Sequence, residues 1–183
     1  LHELGGDVNK GDDYGWTPLH IVAHENFMDA IRVLHELGGD VNKGNDTGLT
    51  PVHYAAHENS ADAIRLLHEL GADVNKGDDA GWTPLHYAAR ENSVDAICVL
   101  HELGADVNKG DDDGRTPVHS AAEENSADAI RLLHELSADV SKGDDDGRTP
   151  VHYATRKNSV DAIRLLHELG GDVNKGDDYG WTP

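Results

Sequence analysis

The sequence predicts an all-α solenoid of stacked helix–turn–helix units, and three observations carry that prediction. The string Gly-x-Thr-Pro recurs at Gly15, Gly48, Gly81, Gly114, Gly147 and Gly180, always 33 residues apart. Each string except the last leads into two short apolar stripes at helical spacing. Each pair of stripes then gives way to a stretch rich in Asp and Gly, with too few apolar residues for a third helix. A fixed period of this size builds an array in which a unit buries its apolar face only against its neighbours. The chain divides into a partial unit 1–14, five full units 15–47, 48–80, 81–113, 114–146 and 147–179, and a partial unit 180–183.

The unit 81–113 shows how each element arises. Thr83 is a good N-cap and Pro84 fits the first helical position, so a helix opens there with Leu85, Ala88 and Ala89 on one face. It stops near Asn92, because Asn tolerates the left-handed backbone of a helix end. A second helix carries the stripe Ala96, Ile97, Val99, Leu100 and Leu103, wide enough to be buried against two neighbours, and Gly104 closes it. The stretch from Ala105 to Asp113 reads as an extended turn or β-hairpin finger. Apolar residues make up 37% of the chain and aromatics 5%, so small aliphatics do the packing.

The run Thr83-Pro84-Leu85-His86-Tyr87-Ala88-Ala89, followed by Leu100-His101-Glu102-Leu103-Gly104-Ala105-Asp106-Val107-Asn108, resembles the ankyrin repeat, and the likeness extends along the whole chain. That resemblance implies an ankyrin-repeat solenoid with β-hairpin fingers, a structural hydrogen-bonding role for the Thr-Pro-x-His histidine, and protein binding as the activity. There are departures. Asn26-Phe27, Asn59-Ser60, Asn92-Ser93, Asn125-Ser126 and Asn158-Ser159 replace the usual Gly-His between the helices, and His35, His68, His101, His134 and His167 replace a common Leu. Ser137 stands where the other units have Gly, at a cost of about 1 kcal/mol if its backbone is left-handed. Both ends cut a unit in the middle, since Leu1 to Pro18 is identical to Leu166 to Pro183, which suggests a window on a longer array and self-association through uncapped ends.

Charge narrows the partners. The formal net charge is −20, from 35 Asp and Glu against 15 Lys and Arg. Such a surface repels a nucleic-acid backbone and favours a protein with a basic patch. Cys98 is the lone cysteine, which makes a reducing compartment such as the cytoplasm the easier reading. No apolar run reaches the roughly 20 residues of a membrane span, so no membrane partner is expected.

Several patterns invite chemistry. His20 with His24, and His53 with His57, have the i, i+4 spacing of a zinc pair, but the same histidine recurs as His86, His119 and His152 beside Arg90, Glu123 and Arg156, which no metal explains. The second ladder, His2 through His167, reads as a row of packed neutral histidines whose protonation below about pH 6 would weaken the array. Asp111-Asp112-Asp113 and Asp144-Asp145-Asp146 lack the alternating ligands and closing Glu of an EF-hand and read as solvated finger tips. Cys98 takes an arginine position and has no recurring partner, and the glycines belong to caps and fingers. No catalytic residue, metal or cofactor is expected.

Function in a repeat array belongs to exposed positions that differ between units. After the finger Gly these are Trp16, Leu49, Trp82, Arg115, Arg148 and Trp181, and before it Tyr14, Thr47, Ala80, Asp113, Asp146 and Tyr179. The family resemblance adds the first-helix residues His24, His57, Arg90, Glu123 and Arg156. The expected function is a scaffold that binds a protein along this concave surface. The alternative is a structural element: a spacer, spring or self-assembling filament.

Overall fold

In the computed structural model, which describes residues 6–183, every Thr-Pro pair from Thr17 to Thr149 opens a helix. The first helices of successive units are α1 (Pro18–His24), α3 (Pro51–His57), α5 (Pro84–Arg90), α7 (Pro117–Glu123) and α9 (Pro150–Arg156). The second helices are α2 (Met28–Glu36), α4 (Ala61–Glu69), α6 (Val94–Glu102), α8 (Ala127–Glu135) and α10 (Val160–Glu168). Leu85, Ile97 and Leu100 are fully buried, as are their counterparts Val118, Ile130 and Leu133, so one continuous core runs between the helix layers. The first helices lie closer to one another than the second helices do, because they meet through alanines such as Ala55, Ala88 and Ala121. That inequality curves the stack toward the first-helix side.

The Asn that replaces the usual glycine between the helices has two uses. Asn59, Asn92 and Asn125 are left-handed, with φ of 54°, 56° and 58°. Their Oδ1 atoms accept the backbone N–H of Ala96, Ala129 and Ala162 at 2.9, 2.8 and 3.0 Å. Each of those alanines is the third residue of the next unit's second helix, one of the donors that a helix leaves unpaired at its start. Glycine would supply the turn without the cap. The neighbouring serines also work between units: Ser126 Oγ donates to the carbonyl of Arg90 at 2.8 Å, satisfying a C-terminal group of α5.

Gly104 is left-handed, with φ of 88°, and so is Ser137 at its position one unit on, with φ of 73°. A Cβ at Gly104 meets nothing within 4 Å, so the strain at Ser137 is local to its backbone. Among the described residues there is no β-strand, and the hairpin form of the fingers is not seen. The residue that opens each finger, Asp in all but one and Asn45 in that one, is the physical reason. Asp111 Oδ1 accepts the N–H groups of Asp113 and Arg115 at 3.0 and 2.9 Å, taking donors that a facing strand would need. Successive fingers are joined by one backbone bond each, as from Asp112 N–H to the carbonyl of Ala80 at 3.1 Å.

Candidate partner-binding surface

The first-helix histidine fixes the base of the fingers. Thr83 N–H donates to His86 Nδ1 at 3.1 Å, the half of a capping box that Glu usually provides. With Nδ1 accepting, the ring proton sits on Nε2, which donates to the carbonyl of Arg115 at 2.9 Å. The same pair of bonds recurs at His20, His53, His119 and His152, reaching Leu49, Trp82, Arg148 and Trp181. Neither ring nitrogen of His20 or His53 is free for a metal. Burial pushes the pKa of His20, His53, His86 and His119 down, to about 4 for His53 and His119, against the smaller upward pull of the carbonyl bond.

Two expectations are corrected here. The second histidine ladder is not packed: His68, His101, His134 and His167 are exposed and His35 is half-buried, while His2 lies outside the described residues. These side chains follow the buried Leu of the second helix and fall on its outer face, so the neutral buried ladder is the Thr-Pro-x-His one from His20 to His119. The Asp triplets are only partly solvated finger tips. Asp112 and Asp113 are exposed, but Asp111 and Asp144 are buried, each accepting two backbone N–H groups and an arginine Nε.

The varied positions fall into neighbouring clusters along the finger and first-helix side. In the first, Trp16 packs on Tyr54 with ring centroids 4.3 Å apart, and Leu49, His24 and His57 surround them. Together with Tyr87 and Glu58 they frame a cleft of about 110 Å³. Glu58 lies 3.4 Å from His24 Nε2 and 2.7 Å from His57 Nδ1. In the second, Arg115 lies over the ring of Trp82, 5.8 Å from its centroid, and pairs with Asp111 and Asp113 at 2.8 and 2.9 Å. In the third, Arg148 and Arg156 lie over Tyr153 at 5.7 and 4.8 Å. Arg148 pairs with Asp144 and Asp146, and Arg156 with Glu123 at 3.1 Å. Arg90 sits between the clusters, 3.6 Å from Glu91. Tyr14, 74% exposed, stands at the edge beyond them.

The tyrosines are the residues that sequence reasoning missed. Tyr54 and Tyr87 form part of the surface and Tyr153 lies just beneath it under two arginines, yet all three belong to the recurring His-Tyr-Ala string and read as framework. The available signal was that the position varies: it holds Ile21 in the first full unit and Ser120 in the fourth. Burial, with the carboxylate bonds of Asp78 and Asp144 on two of them, raises all three phenol pKa values, to about 12 for Tyr54. They therefore stay neutral at physiological pH, and the half-buried Tyr54 and Tyr87 present intact aromatic faces, whereas Tyr153 is buried beneath Arg148 and Arg156. Cys98 is exposed on α6, away from the fingers. No helix among the described residues is long and apolar enough to cross a membrane.

Comparison with known families places these units. The family model described as ankyrin repeats (three copies) matches residues 1–78, 38–111, 71–144 and 99–177, and so covers nearly the whole chain. No curated protein matches it.

Proposed function

The chain belongs to the ankyrin repeat family, whose members are generally protein-interaction modules and typically not enzymes, and from that premise we propose that it is a scaffold binding a basic protein along its fingers and first helices. One observation carries this reading. The positions that vary between units, Trp16, Leu49, Trp82, Arg115 and Arg148, lie with His24, His57, Arg90, Glu123 and Arg156 on the side toward which the stack curves. On the opposite side the second helices repeat nearly the same exposed residues, as in Arg65, His68 and Glu69 against Arg131, His134 and Glu135. Exposed or half-exposed Trp, Tyr and Arg are the residue types that concentrate binding energy in interfaces. The net charge of −20 selects a basic partner and gives an encounter rate that falls with added salt.

Affinity capture from the source cell tests it, with three baits in parallel: the unaltered array, a front variant with Trp16, Trp82 and Arg115 changed to Ala, and a back variant with Arg65 and Arg131 changed to Ala. All three are first matched for helix content. A protein retained by the unaltered and back baits and lost from the front bait supports the scaffold; equal retention by all three refutes the surface assigned.

A second reading, a structural spacer, is favoured by the identical bonds that join every pair of units through the Thr-Pro-x-His histidine. It predicts a length measured by solution scattering that resists denaturant up to the main unfolding transition. Early shortening contradicts it.

A further inference from the structure

We propose that the cleft between Trp16, Leu49, Tyr54 and Glu58 is a binding site for an arginine side chain of the partner. The protein itself supplies the pattern. At the far end of the array, Tyr153 lies under two arginines, Arg148 five residues before it and Arg156 three residues after it. Midway, Trp82 lies under Arg115, one unit on. Tyr54 is the counterpart of Tyr153, and Trp16 that of Trp82, with the spacing of whole units. At Tyr54 the two arginine positions hold Leu49 and His57, and for Trp16 the covering position is again Leu49. Two aromatic rings in contact thus lack the guanidinium cover that Trp82 and Tyr153 have, and an open cleft lies beside them.

The chemistry of the lining agrees. It includes one carboxylate, Glu58, and neither lysine nor arginine. A cation is drawn to the faces of Trp and Tyr within about 6 Å, and a flat guanidinium stacks on a ring where an ammonium cannot. A volume of about 110 Å³ is well below that of a small-molecule pocket and suits a single side chain. The surrounding charge of −20 draws a basic segment toward it. Leu49 stands where two later units carry Arg115 and Arg148, so the partner contributes the residue that this unit lacks.

This rests on the scaffold reading but is tested apart from it. A Gly-Ser peptide with one central arginine is titrated into the whole chain while the indole N–H signals of Trp16, Trp82 and Trp181 are followed by NMR, beside the same peptide with lysine or citrulline. The arginine peptide shifts Trp16 first, with affinity at least tenfold above the citrulline peptide and several-fold above the lysine one. L49R fills the cleft from within and weakens binding at least tenfold; the fold tolerates it, since Arg148 occupies the same position. E58Q, which keeps shape and removes charge, weakens it about threefold or more. Equal binding of the arginine and citrulline peptides, equal binding of the arginine and lysine peptides, shifts at Trp181 in place of Trp16, or unchanged affinity in L49R would each overturn the assignment. A captured protein that still prefers the unaltered over the front-variant bait then leaves the scaffold standing and removes only the cleft.

Discussion

His86 joins two repeats: its Nε2 donates to the carbonyl of Arg115, 29 residues on, across 2.9 Å, while its Nδ1 accepts the N–H of Thr83. The ring is fully buried, so both bonds are made away from water. His86→Ala removes the two bonds and leaves a buried donor and a buried acceptor unpaired, as well as a cavity. The expected loss is about 3 kcal/mol, read as a lower urea midpoint. A loss under about 1 kcal/mol would show that the bridge contributes little.

The same geometry sets a pH dependence. A protonated ring has no acceptor for the Thr N–H, and burial already holds His53 and His119 down at about 4, against an ordinary 6.5. The unfolded chain therefore binds more protons than the folded one between these values, and stability falls as pH falls through that window. It is fully present above about pH 7. By pH 5.5 the loss is about 1.4 kcal/mol for each of these two histidines, with further loss from His20 and His86, whose pKa values are also lowered. Urea midpoints at pH 7.5, 6.5 and 5.5 measure this before most carboxylates titrate; a flat profile contradicts it.

The fourth unit carries two repairable defects. Ser137 is left-handed where glycine stands in the other units, and no neighbour crowds that position, so Ser137→Gly raises stability by about 1 kcal/mol. Ser141 interrupts a ladder in which Asn75 donates to the carbonyl of Gly104 and accepts from Asp106, and Asn108 does the same toward Ser137 and Asp139. Among the described residues, Ser141 makes neither side-chain bond across the last junction, so Ser141→Asn adds about 1 kcal/mol there. Hydrogen exchange at residues 170–174 checks the second change, with slower exchange expected in the variant and unchanged exchange contradicting it.

The repeat period, the caps and the core stripe were legible because each is a local constraint: Thr83 and Pro84 start a helix wherever they stand, and Asn92 ends it. The second use of Asn92, capping the next unit through Ala129, was not legible, since it depends on how closely two units dock. The binding surface was read half-way. Trp16 and Leu49 stand out as varying residues and His24 and His57 through the family resemblance, and all four meet around one cleft. Arg115 and Arg148 were singled out on the same ground, but they are held by Asp111 and Asp144 and cover aromatic rings within the chain. Distinguishing a vacant aromatic face from a covered one needs the distance between units, which the period alone does not supply. The exposure of the second ladder was misjudged for a related reason: a histidine in place of a family leucine suggests burial, whereas here the neighbouring Leu100 and Leu133 fill the core and the histidines face outward.

The central claim is that a partner docks on the finger and first-helix side. Hydrogen–deuterium exchange of the whole chain, alone and bound to the captured protein, tests it most directly. Slowed exchange is expected in residues 45–58 and 78–91, with the second helices Ala61–Glu69 and Val94–Glu102 unchanged. Protection confined to those second helices would contradict it.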